Sequence, residues 1–254
     1  MHTSNNRPRF VLDTYQGIPY FSYHPDRLTR SSFLSSAAAV KLFAELDSCL
    51  RNVPESESGP YALLAEAVLS KTEFGTHGGG GGAIARLAER LVAKRKLTTV
   101  ELIDVNAVSL GLRRSGLRSG SMWLGSAHPS DAWYVAPPAI GLPKLMDNLI
   151  DFVSDEKLPV TLRACVGLRQ LLQVHPFVDG NGRTARAYFL AVLIRELGRR
   201  APFISVLAHL WQFRAMAMHH TSLHLRDKGE WGPFLDLSLA GFTAALNMSP
   251  STSD

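Results

Sequence analysis

Cysteine is scarce in this chain of 254 residues: there are two, Cys49 and Cys165. Both lie in apolar stretches of helical spacing, so they read as buried, reduced thiols rather than a disulfide. No zinc-type spacing of cysteine and histidine accompanies them. Long hydrophobic runs are also missing. The longest, Tyr188 to Ile194, is too short to span a bilayer, and the opening MHTSNNRPRF holds no apolar leader segment. These absences predict a soluble, cytoplasmic protein with no membrane partner, and leave an exported effector open. Clusters of basic residues are lacking too. The formal net charge is +5, but the arginines are scattered, which disfavours nucleic acid as a partner. With 46% hydrophobic and 19% charged residues, the chain can build one compact domain or a main domain with a helical extension.

What is present concentrates in one stretch, HPFVDGNGRTAR, His175 to Arg186. The run behind it, Ala187 to Leu197, is apolar and rich in helix formers, so the stretch reads as a loop feeding the N-terminus of a core helix. Such an end offers unpaired N–H groups and a partial positive charge to an anion. Gly180 and Gly182 let the backbone come close to that anion, with Asn181 between them. Arg183 and Arg186, three apart, can project towards the same phosphates. Asp179 is a hard oxygen ligand suited to Mg²⁺ bridging those phosphates. His175 is placed to take a proton from an attacking hydroxyl.

The stretch matches H-x-F-x-[D/E]-G-N-G-R-x-x-R, the signature of Fic-domain proteins. At residue frequencies of roughly 5%, its eight fixed positions recur by chance about once in 10^10 windows. The chain therefore resembles the protein adenylyltransferases (AMP transferases) of that family, and its Gly-Asn-Gly-Arg core differs from the Doc-type pattern. The resemblance implies an all-α fold, a Fic-type helical bundle with a small β-hairpin flap over the active site. It also implies ATP as the substrate, Mg²⁺, and a target protein whose Tyr, Thr or Ser hydroxyl receives AMP. Removal of AMP, transfer of another phosphate-linked group such as UMP, a nucleotide-binding interaction module, self-modification and a homo-oligomer all remain open.

Further matches flank the signature. Glu66 to Thr76 (EAVLSKTEFGT) resembles the inhibitory helix that many Fic proteins carry, with Glu73 in the place of the inhibitory glutamate. A carboxylate delivered there would pair with Arg186 and displace the terminal phosphate. Met122-Trp123-Leu124-Gly125 and Tyr134-Val135-Ala136-Pro137-Pro138 are short β-like runs resembling the family's flap, whose backbone edge docks the target by strand addition. By themselves, Trp123 and Trp133 read as core residues.

The expected organisation is an N-terminal arm and helical region (1–95), a catalytic core (96–246) and a polar tail (247–254). The first region holds an irregular, proline-bearing arm to about residue 30, an inhibitory helix over about 61–74, and a glycine-rich linker over 77–82. Helices are predicted over 34–50, 83–95, 98–112, 142–152 and 158–172, and around 203–219 and 233–245. The basic stripe of Arg86, Arg90, Lys94 and Arg95 reads as a solvated face. Phe177 reads as a core anchor for the motif loop.

Overall fold

The computed structural model describes residues 9–30, 32–33, 37–57, 63–65, 81–210 and 215–248. Its helices are α1 (Ala37–Arg51), α2 (Gly81–Val92), α3 (Thr99–Ser109), α4 (Leu142–Val153), α5 (Val160–Val174), α6 (Asn181–Leu197), α7 (Ala201–Ala208), α8 (Ala215–Lys228) and α9 (Gly232–Met248). Two antiparallel pairs of strands accompany them: β1 (Arg9–Tyr15) with β2 (Ile18–His24), and β3 (Trp123–Leu124) with β4 (Tyr134–Val135). The predicted helical bundle with a small hairpin is thus the fold observed.

At its centre lies α6, which is buried from Thr184 through Ile194. Its sequence is apolar on every side, and a helix of that kind must be wrapped by others. Helices α5, α2 and α3 do the wrapping. The motif loop therefore stands on a deeply buried helix.

The N-terminus of α5 solves a capping problem at a distance. Its cap position is Pro159, which carries no side-chain acceptor. Asp47 of α1 reaches in instead. Its carboxylate accepts from Val160 N (2.6 Å), Thr161 N (3.0 Å) and Thr161 Oγ1 (2.6 Å). A buried carboxylate of this kind satisfies orphan donors and answers the helix dipole. Asp47→Ala is expected to lower stability by about 2 kcal/mol, read as a lower urea midpoint. An unchanged midpoint would show that the cap contributes nothing. One turn further along, buried Arg163 joins α5 to α6 and α4. It donates to Glu196 Oε1 (2.8 Å) and Oε2 (2.5 Å), and to Val153 O (2.7 Å).

Four local expectations are corrected. The arm expected to be irregular contains the β1–β2 hairpin, turned at Gln16–Gly17, both with positive φ. That pair of φ values suits the twist of a two-residue hairpin turn. Pro19 is tolerated opposite Thr14 because a two-stranded sheet has free outer edges that require no donor. The glycine run is not linker to its end, since Gly81 and Gly82 already belong to α2. The tail begins later than expected, because α9 continues through Asn247 and Met248. Cys49 is exposed on the outer side of α1, whose inward positions are Phe43, Leu46, Asp47 and Leu50; Cys165 is buried. No helix among the described residues is long and apolar enough to cross a membrane.

Candidate active site

Helix α5 ends where His175 takes a left-handed conformation, φ 48° and ψ 58°, with its N–H donating to Leu171 O at 3.0 Å. Few non-glycine residues adopt this shape, and here it turns the chain sharply out of the helix. The imidazole Nδ1 faces Leu172 O at 3.3 Å. A proton on Nδ1 satisfies that carbonyl and leaves Nε2 as the acceptor. Burial lowers the imidazole pKa and Arg118 reinforces the effect; the contact to Leu172 and the charge of Asp179 oppose it. The net effect favours the neutral imidazole.

The next turn returns the chain to α6. Phe177 is buried, as expected of an anchor. The side chain of Asn181 clamps the loop by accepting from Phe177 N (2.9 Å) and donating to Phe177 O (2.8 Å). The side chain is thus buried and committed to the loop, which leaves the backbone of Asn181 to face an anion. Gly180, the N-cap, has φ 77°. A Cβ there would lie 2.7 Å from Asn106 Nδ2 and 3.1 Å from Ser109 Oγ. Conformation and space both demand glycine. Gly180→Ala is expected to cost about 1–2 kcal/mol from the left-handed backbone alone, and to weaken nucleotide binding in a calorimetric titration. Parent-like binding would remove the loop from the site.

The arginines differ. Arg186 is buried, and its guanidinium packs over Gly182, whose Cβ would lie 3.2 Å from Arg186 Nη1. Burial, and then the neighbouring charge of Arg183, bring its pKa down to about 9. A second positive charge near a guanidinium held out of water raises the attraction for an anion there. Arg183 is more open. It donates to Ser109 O (2.7 Å), and its Nη2 lies 3.6 Å from Asp179 Oδ2. Asp179 is exposed; its other oxygen accepts from Gly180 N at 2.5 Å. Among the described residues no three His, Cys, Asp or Glu cluster as a metal cage.

Two supports were not foreseen. Asn106, fully buried in α3, donates to Asp179 O (2.9 Å) and Thr184 Oγ1 (3.2 Å), so α3 braces the loop from behind. The signal available was an amide inside an otherwise apolar helical stretch. Arg118, also buried, contacts the carbonyl of His175 from the hairpin side. Its run, Gly116-Leu117-Arg118, leads into the flap segments in sequence, but nothing in it announces burial.

The expected flap residues do form a hairpin. Trp123 pairs with Val135 and Leu124 with Tyr134, and Ala136 N donates to Met122 O at 2.9 Å. Tyr134 and Val135 are buried, and the Tyr134 hydroxyl bonds to Gln173 O, two residues before His175. Trp133, expected in the core, is 43% exposed and rests edge-on to His219. The basic stripe of α2 is partly engaged, Arg90 Nη2 lying 3.0 Å from Asp104 of α3. Glu73 and the inhibitory segment lie outside the described residues, apart from residues 63–65.

Comparison with known proteins bears on family and fold. Residues 97–193 match the model of the Fic/DOC family. A curated relative, protein adenylyltransferase fic-1 of Caenorhabditis briggsae, is 32% identical over 123 residues, covering 47% of this chain and 21% of its own length. The chain thus spans about a fifth of that relative. Among solved structures, Fic-1 of C. elegans superposes with a TM-score of 0.56 at 16% identity, over 88% of this chain and 76% of that one. A Fic family protein of Desulfovibrio desulfuricans gives 0.54 at 17% identity, over 91% and 77%. At these identities the structural likeness speaks for the fold.

Proposed function

From a chain that carries a Fic/DOC family domain, we propose that this protein is a protein adenylyltransferase, moving AMP from ATP to a hydroxyl of a target protein. The observation that carries the reading is the junction of α5 and α6. There the half-buried imidazole of His175 stands beside the N-terminus of α6, where Gly180, Gly182, Arg183 and Arg186 lie together. The activity in the name of the Caenorhabditis relative supports it.

In this reading the β and γ phosphates rest on the N–H groups at the start of α6 and on the two arginines. His175 Nε2 takes the proton of a Tyr, Thr or Ser hydroxyl. That oxygen attacks the α-phosphorus in line, a new P–O bond forms, and the α–β bridge breaks. Pyrophosphate leaves with the bonding electrons, and the arginines spread its charge. Most of the rate comes from positioning and charge stabilisation. Asp179 fits Mg²⁺: it is a hard, exposed carboxylate beside the phosphate seat, and this ion commonly takes one or two carboxylates with phosphate oxygens. When bound there, Mg²⁺ would draw negative charge from the phosphate oxygens.

The inhibitory role of Glu73 rests on its sequence setting and on the chemistry of a carboxylate meeting Arg186. The test of the whole reading is mass spectrometry after incubation with MgATP and a cell extract. Protein carrying one added AMP, lost in His175→Ala, is expected. A mass gain of phosphate alone would replace the reading with a kinase.

A further inference from the structure

Arg118 lies between the flap and the motif, and its contacts reach both. The side chain is 4% exposed. Its Nε donates to His175 O at 2.7 Å, and its Nη2 reaches Val174 O at 3.3 Å. The same guanidinium donates to Gly120 O (2.8 Å) and Pro137 O (2.6 Å), which flank the β3–β4 hairpin. The Arg118 backbone N–H donates to Pro176 O at 2.8 Å. One planar fork thus serves four carbonyls, two at the end of α5 and two at the foot of the hairpin.

We propose that Arg118 is a positioning residue for the general base, holding His175 in its left-handed cap and locking the flap to it. The inference rests on the adenylyltransferase reading. Geometry explains why arginine is needed. A left-handed histidine is strained, and it persists only where its surroundings over-determine it. The bond to its own carbonyl does so directly. Lysine offers a point charge and cannot span four acceptors in fixed directions. Charge gives a second effect: a buried cation beside the imidazole opposes its protonation. Asp179 is the charged group acting the other way, and the Leu172 carbonyl also favours the proton.

The test combines histidine NMR titration with kinetics on the full chain, for the parent, Arg118→Lys and Arg118→Gln. His175 is assigned by difference from His175→Ala. In Arg118→Gln its titration midpoint should rise, because the cation is gone; in Arg118→Lys it should stay near the parent's. Both variants should lose at least about tenfold in kcat with KM for ATP little changed. In the parent, the Arg118 Nε proton should exchange slowly with water. That observation needs no variant, so fast exchange would overturn the proposal even if both variants failed to fold. Unchanged midpoints and unchanged kcat in folded variants would overturn it too. Should the parent transfer no AMP, the fault lies with the adenylyltransferase reading, while the titration and exchange measurements still decide the role of Arg118.

Discussion

Alanine at position 175 is expected to abolish AMP transfer, a fall of about 10^2 to 10^4-fold, while ATP binding stays near the parent's. In the proposed mode of binding the phosphates would rest on the α6 N-terminus and the arginines, with no share taken by the imidazole. What is lost is the acceptor for the hydroxyl proton. The parent's pH profile provides an independent check. Only neutral imidazole can accept a proton, and in the folded protein burial and Arg118 hold His175 below the ordinary histidine value. The rate should therefore rise with pH through a midpoint below that value and be flat through neutrality. A midpoint above it would mean that the titrating base is another group.

Arg186→Gln is expected to raise the Kd for ATP by about 10 to 100-fold, measured by calorimetry with the α–β-methylene analogue to prevent turnover. This guanidinium is buried, lies over Gly182 and is further disfavoured by Arg183. An anion between the two cations relieves that cost, so removing Arg186 takes away much of the attraction for the triphosphate. Arg186→Lys should recover only part of it, because an ammonium cannot match two phosphate oxygens with a planar fork. ATP affinity like the parent's in Arg186→Gln would place the nucleotide elsewhere.

Much of the site was legible because its chemistry lies in twelve consecutive residues, and a run that short cannot be scattered by the fold. The run of apolar residues behind it predicted the buried helix α6 for the same local reason. What escaped reading depends on contacts across the chain. Asn181 resembles a ligand in a glycine loop, yet its amide is spent on Phe177 four residues earlier. Asp47 caps a helix more than a hundred residues away, and Asn106 braces a loop more than seventy residues away. Neither separation has a periodicity to detect. The β1–β2 hairpin was hidden by prolines, whose preference for irregular chain was overridden by the Gln16–Gly17 turn and by a sheet edge free of donors. Cys49 shares a helix with regularly spaced apolar residues, yet the inward positions of α1 fall on Phe43, Leu46, Asp47 and Leu50.

One experiment tests the proposed chemistry most directly: transfer of label to protein from ATP marked at the α-phosphate, set beside ATP marked at the γ-phosphate. It is run with Mg²⁺ on the parent, on Glu73→Gly and on Glu73→Gly combined with His175→Ala. Adenylyl transfer predicts α-label on protein, strongest in Glu73→Gly and absent when His175 is gone, with no γ-label in any sample. Label arriving from the γ-phosphate, or α-label that persists without His175, would contradict it.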